Sequence, residues 1–259
     1  MKSFGFNNID GTGLEQPQEV VMMKILQEGC KMVDKKYILF DLDGTIIDPK
    51  EGITKGVQFS LEVFGIHVED RDTLTHFIGP PLRDSFKKFY GFNNRGAEFA
   101  VEKYREYFAP KGVYENVLYD GIVELFEKLE EAGKVLIIAT SKPTVYAEKI
   151  LEHHNIRDYF SFVGGCELDG KRGAKGEVIE YVLESMKITE PKTAIMIGDR
   201  EHDVIGAKET GLESIGVSYG YGSLKELRYA GATYIAKSTE ELSRLLIQDK
   251  EPIEEKEEM

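Results

Sequence analysis

The sequence predicts a doubly wound α/β fold with an all-helical insertion, on three observations. Short apolar runs of strand length alternate with helical stretches from about residue 119 onward, the pattern of a parallel sheet wrapped by helices. Those runs end in polar residues: Asp41 and Asp43 at the first, Thr140 and Ser141 at the second, Asp199 and Asp203 at the fourth. Between the first run and the second, residues 50–118 read as helix only, which interrupts the alternation.

Residues 1–34 carry Gly11, Gly13 and Pro17 with no sustained period and read as an extension outside the core. Gly11-Thr12-Gly13 lacks the strand before and helix after that a nucleotide loop needs. Met32 is the expected natural start. Gln27-Glu28-Gly29 can be encoded by codons containing AGGAGG, a bacterial ribosome-binding sequence, a few bases upstream of Met32.

Tyr37-Ile38-Leu39-Phe40 is the first strand, apolar enough to be buried on both faces. Open α/β sheets bind ligands at the carboxyl ends of their strands, so Asp41 and Asp43 stand at a crevice. Two like charges this close need a cation between them or a shared proton; Mg²⁺, which prefers oxygen ligands, would resolve the repulsion. Gly44 lets the chain turn at once. The bland alternative is an ordinary Asp-Gly turn.

Ile53, Val57, Leu61 and Phe64 follow helical spacing, and Gly65 stops that helix. Further helices are expected around 70–78, 82–90 and 96–108, with an irregular Ile78-Gly79-Pro80-Pro81 between the first two. Residues 50–118 thus form a helical cap inserted after the first strand, where insertions often cover an active crevice. Phe59, Phe64, Phe77, Phe86, Phe89 and Tyr90 fit its own core at helical spacing. Arg83 could face the substrate or be a plain surface residue.

The core is then 35–49 plus 119–248. Asp120 is the expected N-cap of a helix with Ile122, Leu125, Phe126 and Leu129 inward, and Gly133 its stop. Val135–Ala139 is the second strand, followed by a helix with Val145, Ile150 and Leu151 inward. Strands follow at 160–163, 193–197 and 213–217, with helices after Ser223 and Ser238, each of which opens a capping-box pattern. Thr140 and Ser141 offer hydroxyls and N–H groups at a strand-to-helix junction, which suits phosphate oxygens or a simple N-cap. Lys175 precedes a helix, where a cation opposes the dipole and an anion would justify it; Lys171 and Arg172 in the same loop are rivals. Asp199 and Asp203 could equally cap a helix.

Composition narrows the function. The 259 residues carry a net charge of −13, against a nucleic-acid-binding surface. Residues 249–259 hold six acids and two lysines and read as a solvated acidic tail. Cys30 and Cys166 match neither a disulfide framework nor a metal spacing, which fits a reducing cytoplasmic setting. No apolar run reaches membrane-span length.

Phe40-Asp41-Leu42-Asp43-Gly44-Thr45 resembles the first motif of the haloacid dehalogenase superfamily, in its phosphatase branch. Val135 to Thr140 is similar to its second motif, Lys175 to its third, and Gly198-Asp199 with Asp203 to its fourth. The resemblance spans about 36–247 and implies a Rossmann-like sheet with a helical cap. It implies that Asp41 is a nucleophile and Asp43 a general acid/base, and that Thr140 and Lys175 hold the phosphoryl group. Asp41, Asp43 through its backbone carbonyl, Asp199 and Asp203 would serve Mg²⁺. The expected function is hydrolysis of a small phosphate monoester, as in the phosphoglycolate phosphatase and bacterial 5′-nucleotidase-like group. Ile78-Gly79-Pro80-Pro81-Leu82 and Ser141-Lys142-Pro143 look most like that group, whereas Pro49 departs from it. A phosphosugar mutase of the same fold and a non-catalytic phospholigand-binding protein are the alternatives. Dehalogenases of the superfamily lack the second acid, so Asp43 argues against that chemistry.

Overall fold

The structure is a computed structural model and describes residues 33–247. Six parallel strands form one sheet in the order β5-β4-β1-β6-β7-β8. They are β1 (Tyr37–Phe40), β4 (Val135–Pro143), β5 (Phe160–Cys166), β6 (Ala194–Gly198), β7 (Glu213–Val217) and β8 (Tyr234–Ala236). Alternation along the strands divides the core in two. Ile38, Phe40, Ile138 and Ile197 face one apolar layer, where Phe40 meets the edges of Phe126 and Phe160. Leu39, Ile137, Ala139 and Met196 face the other, against Val178, Ile179, Val182 and Ala207. Helices therefore cover both faces, which is why these strands are apolar throughout.

After β5 the chain crosses from one side of β1 to the other. That reversal opens a crevice beyond the carboxyl ends of β1, β4 and β6.

The insertion leaves and returns through a two-stranded antiparallel ladder, β2 (Ile47–Asp48) with β3 (Val117–Leu118). Between them lie α1 (Lys50–Val63), α2 (Leu82–Tyr90) and α3 (Asn94–Phe108), with short 3₁₀ turns at Arg71–Phe77 and Gly112–Tyr114. Phe77 and Phe86 are buried in it, while Phe59 and Phe89 are exposed. Val57, Leu61, Phe86 and Tyr104 of this insertion join the same apolar cluster as Phe40 and Ile138.

Four local expectations change. β4 continues to Pro143, with a register shift against β5 after Ala139. Asp120 does not cap α4 (Ile122–Glu131); left-handed Gly121 does, and the Asp120 carbonyl accepts from the Thr239 hydroxyl at 2.7 Å. Val145 is 44% exposed, and α5 (Thr144–His153) turns Tyr146 and Ala147 inward beside the expected Ile150 and Leu151. β8 was not foreseen, because three residues at a sheet edge are too few to show a period. The remaining helices are α6 (Lys175–Ser185), α7 (Glu201–Glu209), α8 (Leu224–Ala230) and α9 (Thr239–Leu246). Ser223 and Ser238 do cap α8 and α9, accepting from the Glu226 and Glu241 N–H groups.

Residues 1–32, with Cys30 and the Met32 start, and the acidic tail lie outside the described residues. Val33 is buried, and its N–H donates to the Leu245 carbonyl at 3.0 Å. No helix among the described residues is long and apolar enough to cross a membrane.

Candidate active site

The loop after β1 is wound tightly around one carbonyl. Leu42 O accepts from the N–H groups of Thr45, Ile46 and Ile47 at 3.3, 2.9 and 3.1 Å. Gly44 holds φ +81°, and a Cβ there would stand 2.3 Å from Asp199 Oδ2. Only glycine both adopts that conformation and permits that approach. Asp41 still belongs to the sheet, its N–H donating to Ile197 O at 2.8 Å.

Lys175, the first residue of α6, is buried with its ammonium 2.8 Å from Asp41 Oδ1 and 2.7 Å from Asp203 Oδ1. It also donates to the Ala139 carbonyl at 3.0 Å. Burial pulls its pKa down, but the charges of Asp203 and Asp41 outweigh burial and the net shift is upward. Its two rivals point elsewhere: Lys171 pairs with exposed Asp169, and Arg172 pairs with Glu167 and stacks over the Tyr181 ring.

Asp203 does two things at once. Its Oδ2 accepts from the Arg200 N–H at 3.1 Å, closing the first turn of α7, while Oδ1 meets Lys175. The capping role and the site role therefore coexist in one side chain. Burial pushes its pKa up to about 6, with Lys175 opposing and Asp41 reinforcing the rise.

Asp199 is fully buried. Its Oδ2 accepts from the Tyr221 N–H at 2.7 Å, and its Oδ1 has no partner among the described residues. Burial first, then the charges of Asp203 and Asp41, push its pKa well up.

Thr140 is buried on β4 and does not cap α5, whose N-cap is Pro143. Its Oγ1 accepts from the Lys142 N–H at 3.2 Å. Ser141 lines the crevice between the inserted helices and the sheet, a chamber of about 1100 Å³. Arg83 lines the same chamber, but its guanidinium pairs with Glu98 of the cap at 2.8 Å.

Two groups escaped the sequence reading. Lys142 is buried and donates to Asp43 Oδ2 at 2.7 Å. Burial raises the Asp43 pKa, and Lys142 is the main opposing influence. Lys142 shares β4 with Thr140 two positions earlier, so strand alternation could have placed it toward the acids. The second group is the loop after β7. Tyr219 donates its hydroxyl to Thr45 O at 2.9 Å, Tyr221 donates its own to Asp48, and Gly220 lies against Gly44 O, where a Cβ would come within 2.2 Å. Nothing in that loop's sequence marks it except its glycines.

Four buried carboxylates face two buried ammoniums, a formal charge of −2. Asp41, Asp199 and Asp203 each offer an oxygen within 4.8 Å of the others. With the bare Asp199 Oδ1, the donor set fits a hard divalent cation. Fold and cluster together define a Rossmann-like protein with an acidic, cation-seeking centre at the carboxyl edge of its sheet.

Comparison with known proteins agrees with that class. The haloacid dehalogenase-like hydrolase family matches residues 38–217. The 5′-nucleotidase of Pseudomonas aeruginosa is 46% identical over 209 residues, 81% of this chain and 94% of that protein. The tyrosine-protein kinase PtkA of Mycobacterium tuberculosis is 36% identical over 187 residues, 72% of this chain and 63% of that protein. A crystal structure of a predicted phosphatase from Clostridium acetobutylicum superposes with a TM-score of 0.80 at 51% identity, covering 81% of this chain and 97% of that one. The chain belongs to the haloacid dehalogenase-like hydrolase family, in its phosphatase branch.

Proposed function

We propose that this chain hydrolyses a small phosphate monoester through an aspartyl-phosphate on Asp41, with Mg²⁺ as cofactor. The observation that carries the reading is the division of labour between two carboxylates on one loop. Asp41 faces Lys175 and Asp203, while Asp43 faces Lys142. Two acids in different environments can serve as nucleophile and proton carrier in one reaction.

In this mechanism Asp41 attacks phosphorus, and the bond to the leaving oxygen breaks. Asp43 gives that oxygen its proton, then takes one from the water that attacks the aspartyl-phosphate. Lys175 and Thr140, with Ser141 at the chamber wall, hold phosphoryl oxygens in place. Asp41, Asp199 and Asp203 with the Asp43 carbonyl would hold Mg²⁺, which neutralises charge on the phosphoryl oxygens when bound. The division of the chain follows the same logic: residues 35–49 and 119–248 carry the chemistry, and 50–118 covers it.

The substrate we favour is a nucleoside 5′-monophosphate over phosphoglycolate. The 46% relative carries the 5′-nucleotidase name, and a chamber of about 1100 Å³ is roomy for a two-carbon acid. Its walls include Phe77, Tyr104, Phe108 and Tyr146, which suit a flat ring. The proposed setting is the cytoplasm, with neither nucleic-acid polymer nor membrane as partner.

The test is a panel of phosphoglycolate, nucleoside monophosphates and sugar phosphates with Mg²⁺, read as inorganic phosphate released without any protein acceptor. A nucleoside monophosphate should rank first. Isomerised sugar phosphate without free phosphate would indicate a mutase, and silence across the panel would overturn the reading.

A further inference from the structure

Lys142 lies outside the four-motif set yet is as buried as the acids it serves. Its side chain is 6% exposed, and among the described residues its ammonium touches one carboxylate oxygen, Asp43 Oδ2. The second oxygen, Asp43 Oδ1, is buried and has no partner among the described residues. Both residues line the chamber between cap and core.

The ammonium is seated from the cap side. Lys142 Nζ lies 4.9 Å from the centroid of the Phe108 ring, at the end of α3. Phe108 stacks on Tyr104 at 5.0 Å and meets the edge of Tyr146 at 5.4 Å. Tyr146 belongs to the core helix α5, so the aromatic group spans cap and core. From below, the Thr140 hydroxyl fixes the Lys142 backbone. A lysine has a long flexible stem, and here both ends of that stem are held.

We propose that Lys142 is a positioning residue that selects which oxygen of Asp43 does the proton transfer. The inference rests on the phosphatase reading above. With Oδ2 engaged by Lys142, Oδ1 is the oxygen left without a partner and so the one free to carry the proton in this mechanism. As Asp41 bonds to phosphorus, the phosphorus–oxygen bond of the ester breaks. Its electron pair goes to the leaving oxygen, which takes the Oδ1 proton. The contact with Phe108 makes this aim depend on the cap being in place over the core.

A lysine that merely neutralised a buried carboxylate would affect every ester alike. A positioning lysine matters most where the leaving oxygen needs its proton. An alkyl phosphate needs it, and 4-nitrophenyl phosphate barely does, because its phenolate is a good leaving group. The quantity to compare is kcat/KM, which covers the steps up to departure of the leaving group and excludes the hydrolysis step that both esters share.

The experiment measures kcat/KM on adenosine 5′-monophosphate and 4-nitrophenyl phosphate for wild type, Lys142→Gln, Lys142→Arg and Asp43→Asn with and without Lys142→Gln. Lys142→Gln should lose about tenfold or more on the nucleotide beyond its loss on the aryl ester, a modest share of what general acid catalysis provides. Lys142→Arg should recover part of that gap. In the Asp43→Asn background, Lys142→Gln should cost less than about threefold on the nucleotide, since groups acting as a unit are not additive. Equal losses on both esters, or the full loss in the Asp43→Asn background, would overturn the proposal. If Lys142→Gln does not fold, Phe108→Leu should open the same gap in smaller measure, and its absence there counts against the idea. Wild type releasing phosphate from neither ester nor from any member of the panel would instead sink the phosphatase reading itself.

Discussion

Asp41 and Asp43 stand two positions apart and meet different cations, and single residues around them decide what each can do. Asp41→Asn should remove turnover by more than about 10⁴-fold, the scale of losing a nucleophile, while the melting curve stays cooperative. Folded Asp41→Asn with substantial activity would contradict the covalent route. Gly44→Ala places a Cβ in a left-handed position already filled by Asp199. It should lower stability by about 1 kcal/mol or more and weaken the response to Mg²⁺. Unchanged melting with and without metal would show that the loop is not held against Asp199. At this scale the acids were readable in the sequence, because a carboxylate pair at the end of an apolar run has few bland explanations once a second pair repeats it. Lys142 was legible only through its alternation with Thr140 on β4, a signal that the acids overshadow. In the sequence a cation or a shared proton already accounts for the repulsion of Asp41 and Asp43, so nothing calls for a second lysine.

Elements carry the coupling between the inserted helices and the sheet. Arg200, beside Asp199, donates to the Ile78 carbonyl at 2.6 Å and to Glu226 at 2.8 Å. It thereby ties the loop after β6 to the Gly-Pro-Pro turn that leads into α2. Arg200→Ala should raise KM for a nucleotide about tenfold, the worth of a charge-assisted hydrogen bond, and raise it less for a small aryl phosphate. Equal changes on both would place Arg200 in the phosphate site or in general stability. Arg83→Ala should shift the ranking of substrates within the panel more than the rate on the aryl ester. The central strands were legible because burial on both faces leaves long apolar runs. Boundaries were less so. β4 runs on through Lys142 and Pro143 because its partner β5 continues beside it, a tertiary fact with no local signature. Val145 turned outward because α5 starts at Thr144, so its inward face begins one position later.

The whole molecule concentrates negative charge at one sheet edge, and its stability should report that. Burial lifts Asp203 from an ordinary 3.8 to about 6, and Asp199 moves in the same direction. At these two carboxylates the folded chain therefore holds more protons than the unfolded one between those values. Their contribution to stability without metal is full below the unfolded pKa and is lost as pH rises through about 6. Mg²⁺ binds the ionised carboxylates, so its rise in Tm should be larger near pH 7.5 than near pH 4.5, following mass action on the folded state. A metal effect equal at both pH values would contradict the placement of these acids around a cation. The overall architecture was legible because the α/β alternation resumes after one helical block. The paired β2–β3 ladder at its base was not, since two-residue strands leave no pattern.

The central claim is a phosphoryl group on Asp41. The most direct measurement is an acid quench of Asp43→Asn mixed with radiolabelled aryl phosphate, because that variant keeps the nucleophile and lacks the base that clears it. Protein-bound label should accumulate toward one per chain, be released by hydroxylamine as an acyl phosphate is, and map to the peptide containing Asp41. Phosphate released with no label on the protein, or label that persists when Asp41→Asn is added, would contradict the account.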